Sequence, residues 1–170
     1  MSRRSAVKAE PRVAAQSPQE RLGVGYLLGR ARGSLLDALD AELARFGLTG
    51  MQFGVLKHLA EGAAHTAADL CRRMHYDTGS MTRMLDRLEG KGLVRRERGR
   101  EDRRLMLLRI APGGRVLLPR LMAVAVRVLE GHLAGFSVAE IEALKGYLGR
   151  MIDNGQAKGE NEYSPTGGRS

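Results

Sequence analysis

Between positions 77 and 90 the polar residues Thr78, Gly79, Thr82, Arg83, Asp86 and Arg87 fall on one side of a helical wheel. Met81, Met84, Leu85 and Leu88 fall on the other, at the spacing of a helix laid on a core. The first turn, Thr78, Gly79 and Ser80, is small and polar, so its end can approach base edges closely, with hydroxyls able to bond bases or phosphate. The positive end of the helix dipole and its free amide groups favour phosphate there. Arg83 has the length and forked donors to read a guanine edge. The plainer reading of this face is a solvated one carrying ordinary pairs such as Arg83 with Asp86. A second stretch lies just downstream. From Lys91 to Arg109 eight cations stand against Glu97, Glu101 and Asp102, a net +5 out of the chain's +9. All but Lys91 are arginine, including Arg96, Arg98, Arg100, Arg103 and Arg104. The weakly hydrated guanidinium suits a narrow minor groove. A charged edge strand that blocks aggregation is the alternative, but it does not explain why one sign dominates.

Other chemistries find little support. The sequence holds no phosphate-cradling loop, no nucleophile elbow and no His-Glu-x-x-His, so no enzymatic activity is expected, and no cofactor. His58, His65, His75 and His132 show no zinc-ligand spacing, and no metal is expected. Cys71 is the single thiol, which excludes a disulfide scaffold. Arg72 and Arg73 beside it are cations of the kind that activate a thiol, yet a buried free Cys commonly serves as a small apolar residue.

The elements that must hold these residues are helical. Pro18 follows Ser17 and precedes Glu20, a capping pattern. Leu28, Ala31, Leu35, Leu39, Leu43 and Phe46 then form one stripe on a long helix over 18–46. Gly23, Gly25, Gly29 and Gly33 weaken that helix by up to ~1 kcal/mol each, so it depends on tertiary packing. Thr49 and Gln52 form a capping box for a helix ending at Gly62, and Thr66 with Asp69 opens a short one carrying Leu70 and Cys71 inward. After a short join at His75 and Tyr76, a fourth helix starts near Asp77 and ends by Gly92. Extended runs over 93–98 and 104–110 flank the polar loop 99–103, a hairpin. Pro112 begins a long helix that Pro119 is expected to bend. Ser137 caps a last helix bearing Ile141, Leu144, Leu148, Met151 and Ile152. The fold class is therefore mainly α with a small β-hairpin wing, a winged helix-turn-helix. Its parts are a flexible basic arm (1–17), a first dimerisation helix (18–46), the winged domain (47–111), C-terminal dimerisation helices (112–154) and a disordered tail (155–170). The stripes on the terminal helices need a cover that a second copy would supply by two-fold symmetry.

Composition is consistent with this. A chain of 170 residues with 43% hydrophobic residues can bury a sizeable core. No apolar run approaches the 18 residues that suggest a membrane span. The amino terminus lacks the apolar core of a secretory signal, so the cytoplasm is the expected compartment. The basic excess points to a polyanion.

The run Asp77 to Val94 (DTGSMTRMLDRLEGKGLV), followed by EDRR at 101–104 and LLRIAPGGR at 107–115, resembles the MarR family of bacterial transcription regulators. The resemblance spans roughly residues 20 to 154. It implies a homodimer whose winged domains straddle a pseudo-palindromic double-stranded DNA operator, usually as a repressor. It also implies that Asp102 braces Arg104 and that Arg104 enters the minor groove. Two positions depart from the family pattern. Gly99 and Arg100 replace its usual Asp-Pro, and Ala111 replaces a Thr before Pro112, which removes a capping hydroxyl worth ~1 kcal/mol. Relatives of this kind release DNA on binding a small aromatic or phenolic effector between dimer base and winged domain. The corresponding walls here are Tyr26, Arg30, Ser34, Met51, Val55, His58 and Met122, with Arg30 or His58 able to meet a carboxylate. The same seven residues also read as ordinary core and interface. Two further readings stay open: a redox switch through Cys71 on the same scaffold, and a winged helix used for protein contact without DNA.

Overall fold

A computed structural model describes residues 17–99 and 104–162 of the chain. The elements run α1 (Pro18–Leu43), a 3-10 turn (Ala44–Phe46), α2 (Gly50–Ala60), α3 (Ala67–Met74), α4 (Thr78–Gly90), β1 (Val94–Arg98), β2 (Met106–Ile110), α5 (Pro112–His132) and α6 (Val138–Glu162). The strands pair antiparallel, with Val94 opposite Ile110, Arg96 opposite Leu108 and Arg98 opposite Met106. The chain divides into two units, one reaching Val128 and one starting at Leu129.

In the first unit each short helix begins where a side chain can take its free amide groups. Thr49 Oγ accepts from the Gln52 amide at 3.3 Å while Gln52 Oε1 accepts from the Thr49 amide at 3.1 Å. Thr66 and Asp69 repeat the exchange at the start of α3, at 3.1 and 3.0 Å. Asp77 caps α4 by accepting from the Ser80 amide at 2.8 Å. Caps of this kind stabilise by ~1 kcal/mol each. The tight join between α3 and α4 turns on His75, which adopts the left-handed φ of 48° and lets Tyr76 donate to the Cys71 carbonyl at 3.0 Å.

Helices α2, α3 and α4 close around Leu56, Leu70, Met81, Leu85 and Leu88, all essentially inaccessible to water. Leu43 from α1 and Leu121 and Val124 from α5 complete this core. The hairpin leans on it through Val94, Leu108 and Ile110. Two backbone bonds fix the hairpin base: the Leu108 amide donates to the His65 carbonyl at 2.8 Å, and the Ala111 amide to the Leu93 carbonyl at 2.9 Å. The start of α5 then passes so close that only glycine fits. A Cβ on Gly113 would lie 2.9 Å from the Gly92 carbonyl oxygen, and one on Gly114 would lie 2.8 Å from Ile110 Cγ1 and collide with the Leu93 carbonyl. The amino half of α1 has no such neighbours. Leu22, Tyr26 and Leu27 are exposed, and Gly23, Gly25, Gly29 and Gly33 face open space.

In the second unit Gly135, at φ +86°, turns the chain out of α5. Ser137 and Glu140 form a capping box, with bonds of 2.8 and 3.3 Å to each other's amides. Along α6, Tyr147, Met151 and Ile152 are exposed.

Several boundaries differ from the sequence expectation. Helix α6 continues to Glu162, so residues 155–162 are helical rather than part of a disordered tail. They carry no apolar stripe, and Gly155 and Gly159 weaken the helix there, but Gln, Ala, Lys and Glu between them extend it at little cost because the nucleus is already formed. The strands are shorter than expected, and Arg104 and Leu105 precede β2. Residues 1–16, 100–103 and 163–170, which include most of the expected arm, the hairpin tip and the end of the tail, lie outside the described residues. No helix among the described residues is long and apolar enough to cross a membrane.

Candidate nucleic-acid interface

Helix α4 is held by its inner face. Met81, Met84, Leu85 and Leu88 are at most 8% exposed. The outer face is therefore fixed in direction: Thr78, Gly79, Thr82, Arg83, Asp86 and Arg87 are exposed, with Ser80 half-buried at the edge. The Thr82 hydroxyl donates to the Thr78 carbonyl at 2.9 Å, and Arg83 Nη2 donates to Ser80 Oγ at 3.0 Å. Arg83 thus lies over the first turn of its own helix rather than against Asp86, the pairing expected of a plain solvated face. The Asp77 carboxylate takes the Ser80 amide, so one of the amide groups expected to be free for phosphate is already occupied. That bond, then the Ser80 hydroxyl, holds the Asp77 pKa below its ordinary value.

The wing carries its arginines in two different ways. Arg98 and Arg104 are exposed near the end of the hairpin. Arg95 pairs with Glu97 at 2.8 Å on the outer face, and Arg109 approaches the same carboxylate at 3.8 Å. Arg96 turns inward to α4. Its guanidinium bonds Glu89 at 2.5 Å and Asp86 at 2.7 Å, and its amide donates to Glu89 Oε1 at 3.1 Å. Burial works against its charge, but the bonds to Asp86 and Glu89 outweigh it and raise its pKa. Sequence reasoning counted Arg96 with the outward cations and missed its two acidic partners. The signal was present: Asp86 and Glu89 stand three apart, one helical turn, just before a strand whose alternation puts Arg96 on the inner side. Arg100, Asp102 and Arg103 lie outside the described residues.

Of the seven residues expected to wall an effector pocket, three are exposed on α1 and four are buried or half-buried on α2 and α5. Tyr26, Arg30 and Ser34 are exposed on α1. Val55 is fully buried in the core, and Met51 and Met122 are half-buried against it. His58 is half-buried on α2, and its Nδ1 is a buried side-chain atom with no partner among the described residues. Desolvation first, then Lys57 and Arg73 against the opposing pull of Glu61, lowers its pKa. A neutral imidazole is a poor partner for a carboxylate. A cleft of 330 Å³ instead opens beside α4, where Met51, Tyr76 and Met84 meet Ser80, Arg83 and Arg87. A second, of 590 Å³, lies between the 3-10 turn and α5. There Arg45 and Arg120 stand 5.1 and 5.3 Å from the Phe46 ring centre, and Arg127 shares Glu42 with Arg45 at 3.7 Å. Neither Tyr76 nor Phe46 figured among the expected walls. Cys71 is half-buried and packs against the core. No group of three potential metal ligands occurs among the described residues.

Comparison with known proteins bears on this arrangement. A sequence model described as the MarR family matches residues 46–105. The chain is 31% identical over 145 residues to the HTH-type transcriptional regulator TtmR of Methylorubrum extorquens, covering 85% of this chain and 70% of that protein. Its fold is similar to that of the transcriptional regulator BldR from Sulfolobus solfataricus, with a TM-score of 0.74 and 25% identity over 82% of this chain and 99% of that one. It is also similar to a mutant MarR from Escherichia coli complexed with operator DNA, with a TM-score of 0.70 and 25% identity over 79% of this chain and 96% of that one.

Proposed function

The chain belongs to the MarR family of winged helix-turn-helix transcriptional regulators, DNA-binding proteins, and we propose that it acts as a homodimeric repressor released by a small aromatic acid. Helix α4 enters the major groove, where Thr78, Gly79, Ser80, Thr82, Arg83 and Arg87 meet base edges and phosphates. The wing enters the adjacent minor groove with Arg98, Arg100, Arg103 and Arg104, and Asp102 orients Arg104. A two-fold dimer sets its recognition helices one DNA turn apart, so half-sites lie about 10 bp centre to centre. The exposed apolar residues of α1 and α6 supply the dimer contact.

The observation that carries this reading is the division of α4 into a sealed apolar face and an exposed polar one, next to the arginine-rich hairpin. The effector reading rests on the cleft at Met51, Tyr76 and Met84, whose polar lining combines Ser80, Arg83 and Arg87 with Thr49, Gln52 and the Asp40 carboxylate. A carboxylate held by either arginine occupies a group that the DNA needs. Tyr26, Arg30 and Ser34 complete a site only where a second chain covers α1. Whatever its seat, the effector shifts the equilibrium by no more than its preference for the DNA-free state, and ~1.4 kcal/mol of preference changes DNA affinity tenfold.

A salt titration of binding to duplex DNA tests the reading. Each phosphate contact contributes about −0.9 to the slope of log affinity against log salt. A dimer with several arginines on phosphate gives a slope of several units. A flat dependence, or no binding in dilute buffer, contradicts the proposal and favours a winged helix used for protein contact.

A further inference from the structure

We propose that Arg96 is a positioning residue, which sets the wing against α4 by clasping Asp86 and Glu89 and so makes helix and hairpin a single reading head. This rests on the reading that α4 and the wing both engage one duplex.

Three observations carry it. The first is direction. Along β1, Val94 is buried, Arg95 exposed and Arg96 half-buried, and Arg96 stands opposite Leu108, which is 3% exposed. Its side chain therefore lies on the face of the hairpin turned to the helices. It is 25% exposed, against 58% for Arg95 on the outer face. The second is saturation. Both terminal nitrogens and the backbone amide of Arg96 bond to the two carboxylates, the bidentate use of a planar fork that lysine cannot reproduce. The third is place along the lever. The hairpin base is fixed by bonds from Leu108 to His65 and from Ala111 to Leu93. Arg96 lies on the strand leading from that base to the tip. Gly99, where the tip begins, is three residues beyond Arg96, roughly 10 Å of extended chain. A tilt of about 15° there displaces it by roughly 3 Å, half the width of a minor groove about 6 Å across.

The clasp has an electrostatic consequence as well. Asp86 and Glu89 sit on the helix that faces DNA, where unpaired carboxylates repel phosphate. Arg96 offsets that repulsion from within the protein. It acts on DNA binding through its neighbours, without touching the nucleic acid.

The test uses the full chain, a duplex selected by the wild-type protein, and three variants: Arg96→Ala, the pair Asp86→Asn/Glu89→Gln, and all three changes together. Arg96→Ala and the pair should each weaken operator binding by about tenfold, as expected for loss of charge-assisted bonds. The triple variant should be no weaker than either. The log–log salt slope should fall to the same extent in Arg96→Ala and in the Asp86→Asn/Glu89→Gln pair, because each releases the contacts of the wing arginines. Hydroxyl-radical protection of the minor groove should be lost, while protection of guanine N7 in the major groove persists. A slope that falls by about one unit for Arg96→Ala and stays at the wild-type value for the pair marks a direct phosphate contact and overturns the proposal. So does tighter binding by the Asp86→Asn/Glu89→Gln pair, or intact minor-groove protection in either variant. Should Arg96→Ala fail to fold, Arg96→Lys keeps the charge with one bond at most. It must show partial loss of wing protection, and wild-type behaviour overturns the proposal. A wild-type chain that selects no duplex removes the underlying reading, whereas a binding wild type with unaffected variants removes only this inference.

Discussion

Replacing Gly114 by alanine should destabilise the protein, although Gly→Ala inside a helix ordinarily stabilises by about 1 kcal/mol. The added methyl would lie 2.8 Å from Ile110 Cγ1 and would collide with the Leu93 carbonyl oxygen. That carbonyl cannot swing aside freely, because it accepts the Ala111 amide at 2.9 Å. Either α5 lifts from the hairpin base or that bond is lost. Overpacking costs about 1–3 kcal/mol and a lost backbone bond about 1 kcal/mol more. Set against the helix gain, the net is a loss of about 2 kcal/mol, or roughly 4–8 °C in Tm for a chain of this size. Gly131 in α5 supplies the control. It is exposed with open space around its Cα, so Gly131→Ala should gain up to about 1 kcal/mol. Urea unfolding of both variants at one protein concentration reads the difference, provided the slopes match wild type. If Gly114→Ala stabilises, or moves the midpoint in the same direction as Gly131→Ala, the packing of α5 on the hairpin base described above is incorrect.

Thr49→Ala removes one half of the α2 capping box and should cost about 1 kcal/mol in urea unfolding, with Thr49→Ser largely restoring it. His58 has a folded pKa below its ordinary 6.5, so the unfolded chain takes up a proton first. Its contribution is intact above pH 6.5 and is lost as pH falls from there towards the folded value. Thermal melts from pH 7.5 to 5 should show that decline, and His58→Met should flatten it; an unchanged decline removes His58 as its source. Arg83→Ala should alter which bases are enriched in a duplex selection while leaving Tm within about 2 °C, because the side chain is exposed and its bond is to Ser80 on the same helix. An unaltered preference takes Arg83 out of the base readout.

The helix starts were legible because capping is local chemistry: Thr49 with Gln52, Thr66 with Asp69 and Ser137 with Glu140 each act within three residues. The recognition face was legible for a related reason, since Met81, Met84, Leu85 and Leu88 fix which way α4 turns. What escaped depends on contacts between distant elements. Arg96 carries the same charge as Arg95 and Arg98, and only the pairing of β1 with β2 and its seat beside α4 gives it a different task. The effector walls were drawn from residues spread over α1, α2 and α5. Among the described residues Tyr26, Arg30 and Ser34 lie exposed on α1, whereas Met51, Val55 and Met122 belong to or pack on the core, a division that the residue types alone do not reveal. The end of α6 escaped because helix extension needs no apolar stripe, the signal by which its earlier turns were recognised.

Selection of bound duplexes from a random pool, followed by sequencing, tests the central claim most directly. A dimer that reads DNA through paired α4 helices and wings predicts enrichment of a pseudo-palindrome with half-sites about 10 bp apart. Recovery of an unenriched pool, or of a single asymmetric half-site, would contradict it.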